Sequence, residues 1–145
     1  MDSAAIAERS SSFEITNTKF SLLKVTHMTN KTKLRWGILG AARINERLMP
    51  AIVEASNAEL VAIASRRPGA AAQTLAQYAP QQQARTYDNL EALLDDEEVD
   101  AVYLPLANHE HARWALRAIE QGKHVLCEKP MALTVADISR CSKVF

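Results

Sequence analysis

The residues from Gly40 to Ile44 have the types and order that bind a phosphate group. They follow a short apolar run, 34–39, which predicts a strand buried on both faces, and helical spacing begins after Arg43. In such an arrangement, the N–H groups at the helix start and the helix dipole both favour an anion. The turn therefore predicts a dinucleotide site whose contacts are Gly40, Ala41, Ala42, Arg43 and Ile44.

The match to the dinucleotide-binding pattern G-x-G-x-x-G is incomplete. Gly40 takes the first glycine position, but Ala42 stands at the second and Asn45 at the third. The methyl group of Ala42 still allows fairly close backbone approach, whereas Asn45 is the larger departure because that position packs helix against strand. Taken alone, the motif is equally consistent with an ordinary strand-to-helix turn.

A second group of chemically useful residues, Ser65-Arg66-Arg67, follows the next apolar run. NAD-specific enzymes place an Asp or Glu at this strand end to hold the ribose hydroxyls, and no acid is present here. A guanidinium can bind a 2′-phosphate through two donors. We therefore predict NADP(H) in preference to NAD(H), with Ser65 and Arg66 as contacts. The alternative is a solvated turn with two exposed arginines.

Strands and helices alternate five times along the chain with short connections. This alternation predicts an α/β fold with a doubly wound parallel sheet of the Rossmann type. The predicted strands are 34–39, 59–65, 84–86, 100–105 and 124–127. Helices are predicted from residue 43 onward, over 70–78, from the Asp88 cap through 93–94, over 111–121 and after Thr134.

Three local signals refine the helices. Pro50 lies inside an apolar pattern and predicts a kink or a restart of the first helix, since proline lacks the N–H group. Asp88 with Glu91 resembles a capping box for the third helix. Thr134 with Asp137 predicts the cap of the last helix.

Four polar clusters follow the ends of the predicted strands. In parallel sheets the carboxyl ends of the strands share one edge, where ligands bind. We therefore expect these clusters to meet at a single rim. They are 40–45, 65–67, 105–111 and 128–130.

Composition excludes several classes of function. The 17 basic residues balance the 17 acidic ones, so no net charge draws the chain to nucleic acid or to an anionic membrane. No apolar run reaches the ~20 residues of a membrane helix. The two cysteines form no disulfide framework and no metal-ligand spacing, so we expect no metal and a cytoplasmic setting. Residues 1–33 are predicted to be a disordered extension, with Met28 as an alternative start.

Residues 34–145 resemble the nucleotide-binding half of the glucose–fructose oxidoreductase / inositol dehydrogenase (Gfo/Idh/MocA) superfamily. The resemblance is carried by the segments 37–44, 105–111 and 122–130, and Glu128-Lys129-Pro130 is its most specific part. It implies hydride transfer between NAD(P) and a sugar, polyol or diol. The NADP-linked xylose and dihydrodiol dehydrogenases are the most similar branch, on the Trp-Gly-Ile-Leu-Gly opening and the Ser-Arg pair.

The resemblance also implies roles for individual residues. Lys129 is the expected catalytic residue, since a lysine beside the nicotinamide, especially a partly buried one, can exchange a proton with the reacting hydroxyl. A cis peptide before Pro130 would aim it inward, and Glu128 would position the ammonium or cofactor groups. Asn108 is expected near the nicotinamide and His111 near the substrate. The full set of implied cofactor contacts at this part of the rim is Leu104, Pro105, Asn108, His111, Glu128 and Lys129.

The same resemblance implies a second, α+β domain after the last helix, which would supply the substrate pocket and the oligomer interface. We therefore expect the chain to be truncated before that domain, to bind NADP without turnover, and to form homo-oligomers only when that domain is present. Two alternatives stay open. One is a non-catalytic, nucleotide-sensing regulator, against which the intact Lys129 argues. The other is a Rossmann-type methyltransferase, which would place an acid where Ser65-Arg66 stands.

Overall fold

The computed structural model describes residues 33–144. Of the predicted extension, 1–33, residues 1–32 lie outside the described residues. Five strands alternate with five helices and one 3-10 turn, Asn108–Glu110, which precedes the fourth helix. The strands are β1 Leu34–Leu39, β2 Ala58–Ala64, β3 Arg85–Tyr87, β4 Ala101–Leu104 and β5 His124–Cys127; the helices are α1 Asn45–Glu54, α2 Ala70–Tyr78, α3 Leu90–Leu94, α4 His111–Glu120 and α5 Val135–Cys141.

The five strands form one parallel sheet in the order β3-β2-β1-β4-β5. The chain builds outward from β1 to β3 on one side and then returns to place β4 and β5 on the other. The predicted doubly wound fold is confirmed. The order reverses between β1 and β4, and in open parallel sheets this is the position where ligands bind, beyond the carboxyl ends of the strands.

Both faces of the sheet are covered by helices, which explains why the central strands are continuous apolar runs rather than alternating ones. All four residues of β4 are buried, and so are the last three residues of β1. One face packs against α3 and α4 through Leu39, Leu90, Leu93, Val102 and Trp114. The opposite face packs against α1 and α2 through Ile38, Met49, Ile52, Ile63 and Tyr103.

Two of the local predictions are corrected. The predicted restart at Pro50 is wrong, because helix α1 runs through this residue. The hydrogen bond that proline cannot donate would go to the carbonyl of Glu46, an exposed residue, so its loss is tolerated. The cap of α3 is Asn89, whose Oδ1 accepts from the N–H of Glu91 at 2.9 Å. Asp88, the predicted cap, instead accepts from the N–H of Gly69. It therefore ties the α2 entry to the loop after β3.

The predicted cap of α5 is confirmed, because Thr134 Oγ1 accepts from the N–H of Asp137 at 3.1 Å. The connection from α4 to β5 turns at Gly122, which has φ +75° and serves the usual role of a helix-ending glycine. Within residues 33–144, no helix combines the length and the apolar character needed to cross a membrane.

Candidate functional site

The turn after β1 requires glycine at position 40. Its φ is +136°, a conformation that other residues rarely adopt. A Cβ atom here would lie 3.1 Å from Leu106 Cδ2, closer than ordinary van der Waals contact, because the loop after β4 packs against the turn. The Gly40 N–H donates to the carbonyl of Ala64 at 2.9 Å, which fixes the turn to the end of β2.

Asn45 fastens the same turn from the helix side. Its side chain is fully buried, and its Nδ2 donates to the Gly40 carbonyl at 2.8 Å. Its Oδ1 is buried without a hydrogen-bond partner among the residues described. Asn45, which stands at the third glycine position of the pattern, therefore replaces the close packing of a glycine with a side-chain hydrogen bond.

The N–H groups from Ala41 to Ile44 are not used by the backbone of the described residues. The first helical hydrogen bonds run from Asn45 N to the Ala42 carbonyl and from Glu46 N to the Arg43 carbonyl, both 3.1 Å long. In the described part of the chain, no backbone carbonyl accepts from the N–H groups between Ala41 and Ile44. These are the donors that a pyrophosphate uses at a helix start.

The two arginines after β2 have different partners. Arg66 forms a two-pronged ion pair with Glu110, its Nη1 at 2.7 Å from Oε1 and its Nη2 at 2.5 Å from Oε2. Arg67 donates from Nη2 to the Ala41 carbonyl at 3.0 Å. Ser65 is buried, and its Oγ accepts from the Arg67 N–H at 3.2 Å, which shapes the bend between the two side chains.

Arg67 and Glu110 are the residues of this region that sequence reasoning missed. Arg67 lines a cavity of about 200 Å³ beside the glycine turn, together with Ala41, Ala42 and Arg43. The repeated arginine was a visible signal for Arg67. Glu110 is buried and lies 44 positions from its partner, so nothing local in the sequence connects the two.

Four of the predicted contacts lie at the end of β4 and in the segment that follows it. Leu104 and Pro105 are buried at the strand end, and Asn108 is exposed at the start of the 3-10 turn. His111 is 1% exposed. Its Nδ1 lies 2.7 Å from the Pro130 carbonyl oxygen and its Nε2 lies 2.8 Å from that of Leu106. Its ring therefore connects the loops that follow β4 and β5.

The loop after β5 presents Lys129 to solvent. Lys129 is exposed, so the partial burial expected for it is not found in the part of the chain that is described, while the peptide bond to Pro130 is cis. The side chain of Glu128 is fixed by the end of β4, because the Tyr103 hydroxyl donates to its Oε1 at 2.7 Å. Burial, together with the Glu128 carboxylate, raises the pKa of Tyr103 above its usual range.

Direct contacts thus join the four predicted clusters at the carboxyl edge of the sheet. Arg67 joins the second cluster to the first, Arg66 joins the second to the third, and His111 joins the third to the fourth. Across residues 33–144 there is no group of His, Cys, Asp or Glu side chains suited to a metal ion.

A family model described as an oxidoreductase family with an NAD-binding Rossmann fold matches residues 34–145. The chain belongs to the Gfo/Idh/MocA oxidoreductase family. The matched range covers the whole sheet, including the glycine turn and the loop that carries Lys129. The described part of the chain is therefore the nucleotide-binding domain of this family.

Curated relatives and solved structures agree with this membership. The chain is 45% identical to the oxidoreductase ORF334 of Rhizobium meliloti over 74% of its length, and 44% identical to D-xylose 1-dehydrogenase (NADP(+)) 2 of Haloferax volcanii over 68%. It covers 31% and 29% of those two proteins. The crystal structure of KijD10, a 3-ketoreductase from Actinomadura kijaniata in complex with NADP, matches 77% of this chain and 34% or 35% of its own chain, with a TM-score of 0.70 and 36% identity.

Proposed function

We propose that this Gfo/Idh/MocA domain binds NADP(H) along the carboxyl edge of its sheet. The observation that carries the proposal is the turn after Gly40, in which the N–H groups from Ala41 to Ile44 have no backbone acceptor among the described residues. A residue with a Cβ at position 40 would press on Leu106 and strain the tight turn that brings these N–H groups together. The residues present therefore fit the cofactor.

The preference for NADP(H) over NAD(H) rests on charge at the end of β2. No carboxylate stands at residues 65–67 to receive ribose hydroxyls, and the guanidiniums of Arg43 and Arg67 line the cavity beside the turn. Arg66 is not among the cavity's described lining residues; its side chain is 59% exposed, and both of its Nη atoms bond the Glu110 carboxylate. The Ser65 hydroxyl accepts from the Arg67 N–H and so orders the bend that carries the two arginines. The NADP named for the xylose dehydrogenase and for KijD10 supports the same choice.

The reaction we propose is hydride transfer between the nicotinamide and a sugar, polyol or diol. The bound nicotinamide accepts or supplies the hydride. Lys129, exposed at the same rim, takes the hydroxyl proton during oxidation and returns it during reduction. Tyr103 holds the Glu128 carboxylate through a hydrogen bond, which fixes the residue that precedes Lys129. Asn108, exposed at the start of its turn, offers an amide to the nicotinamide.

We infer that the 145-residue chain alone binds the cofactor without measurable turnover. The described residues supply the nucleotide contacts and one proton-transfer group, and the chain spans 31% and 29% of the two curated relatives named above. In this proposal, the rest of such a protein selects the substrate and forms any homo-oligomer. Both cysteines are free thiols, which suits the reducing cytoplasm.

Calorimetric titration with NADPH, NADH and S-adenosylmethionine tests the proposal. NADPH is expected to bind most tightly, and preferred binding of S-adenosylmethionine would contradict the oxidoreductase assignment. Gly40→Ala should abolish NADPH binding. Gly122→Ala is the matched control, since Gly122 also has positive φ, at +75°, but has open space around its Cβ position and lies at the other end of β5. Equal loss of binding in both variants would attribute the effect to backbone strain alone.

A further inference from the structure

The ring of His111 is buried with both nitrogens against acceptors. Nδ1 faces the carbonyl oxygen of Pro130 at 2.7 Å, and Nε2 faces that of Leu106 at 2.8 Å. A carbonyl oxygen only accepts, so each contact is a hydrogen bond when the nitrogen in question carries a proton. A neutral imidazole donates from one nitrogen, and the imidazolium donates from both.

Few hydrogen bonds besides the one to Pro130 hold the loop that follows β5. Glu128 is tied to β4 by the Tyr103 hydroxyl and by its own N–H, which lies 3.4 Å from the Leu104 carbonyl. Beyond that point, the contact with His111 is the one hydrogen bond that joins residues 129–133 to other elements, counted over the described residues. The segment that displays Lys129 is therefore anchored at one atom, the Pro130 carbonyl oxygen.

We propose that His111 is the positioning residue for Lys129, acting through an Nδ1–H donated to the Pro130 carbonyl. The other ring nitrogen, Nε2, lies 2.8 Å from the Leu106 carbonyl oxygen, in the loop that also packs against Gly40, and donates to it when it too carries a proton. The ring thus fixes the position of residues 129–133 relative to the turn at residues 40–44. The catalytic part of this inference rests on the proposed function; the anchoring of the loop does not.

Two substitutions separate the two nitrogens. His111→Asn keeps a donor near the position of Nδ1 and loses Nε2, whereas His111→Gln keeps a donor near Nε2 and loses Nδ1. In full-length protein, the backbone ¹⁵N order parameters of Lys129 and Met131 are expected to stay near about 0.85 in His111→Asn and to fall below about 0.6 in His111→Gln, since the loop loses its one anchoring hydrogen bond. The order parameter of Val102, in the buried strand β4, should be the same in both variants and reports on the folded state.

Nucleotide binding adds a second measurement. His111→Gln should weaken NADPH binding several-fold relative to His111→Asn, while 2′,5′-ADP, which has no nicotinamide, binds both variants equally. Equal order parameters at Lys129 in the two variants overturn the anchoring. A chain that binds neither ligand refutes the proposed function, and the order parameters still decide whether His111 anchors the loop.

A measurement on the unmodified protein decides the matter even if both variants unfold. Long-range proton–nitrogen NMR of the imidazole reports which ring nitrogens are protonated. The proposal requires a proton on Nδ1 of His111 in the folded chain. A ring protonated at Nε2 alone would overturn it.

Discussion

Removing Arg66 should destabilise the domain as well as weaken its nucleotide site. The Glu110 carboxylate is only 9% exposed, whereas the Arg66 side chain is 59% exposed. Both guanidinium Nη atoms bond the two carboxylate oxygens, at 2.7 and 2.5 Å. In Arg66→Ala the carboxylate stays buried at the start of α4 and loses the cation that compensates its charge.

The magnitude lies between two known limits. Breaking a fully buried ion pair by deleting one partner costs about 3–5 kcal/mol, and an exposed pair contributes about 0–1 kcal/mol. One partner here is buried and the other is mostly in solvent, so we expect Arg66→Ala to lower the free energy of unfolding by about 2 kcal/mol. Glu110→Gln should cost less, about 0.5–1 kcal/mol, because a neutral amide in place of the carboxylate needs no counter-ion and Arg66 can turn to water.

Urea unfolding of the two single variants and the double variant measures this coupling. With a slope of about 2 kcal/mol per molar urea, Arg66→Ala should lower the midpoint by about 1 M. Adding Glu110→Gln to Arg66→Ala should restore about 1–2 kcal/mol. Arg67→Ala is the matched control: its guanidinium bonds the Ala41 carbonyl at the surface, so its effect should stay within about 0.5 kcal/mol. Zero coupling between Arg66 and Glu110 would refute the reasoning.

Three further predictions concern the sheet and its edge. Gly37→Ala should cost about 1–3 kcal/mol in urea unfolding, because its Cβ would lie 2.8 Å from Leu93 Cδ2; an unchanged midpoint would contradict this. Tyr103→Phe should cost about 1 kcal/mol and leave Glu128 mobile, as seen by side-chain carboxyl NMR; unchanged signals would show that the hydroxyl does not hold it. Burial, helped by the Glu128 charge, raises the pKa of the Cys127 thiol to about 11. Alkylation of Cys127 at pH 8 should therefore be about a hundredfold slower than that of a free cysteine and should accelerate as the pH rises toward 11; fast labelling at pH 8 would contradict it.

The elements were predictable from sequence because burial on both faces of a parallel sheet leaves a strong local pattern. Helix α2 was predicted at Ala70–Tyr78 and strand β5 at His124–Cys127, the bounds that the structure gives. The last helix was predicted for a different reason. The hydrogen bond of its Thr134 cap joins residues three positions apart, so both partners are visible in the sequence.

The contacts that assemble the rim were not predictable in the same way. Asn45 was expected to disturb the turn, and its bond to the Gly40 carbonyl depends on the angle at which α1 leaves β1. The Arg66–Glu110 pair and the Tyr103–Glu128 bond join residues that only the sheet order brings together. Sequence reasoning identified which loops meet, but not which side chain of each loop bonds its neighbour.

The most direct test of the account is an amide chemical-shift map of the chain on addition of NADPH. The largest shifts should fall at the carboxyl edge of the sheet, in the turn 40–44, in 65–67, at Asn108 and at Lys129. Shifts centred on the opposite edge, near Asn57 and Lys123, or no shifts at any concentration, would contradict the claim that these loops form one nucleotide site.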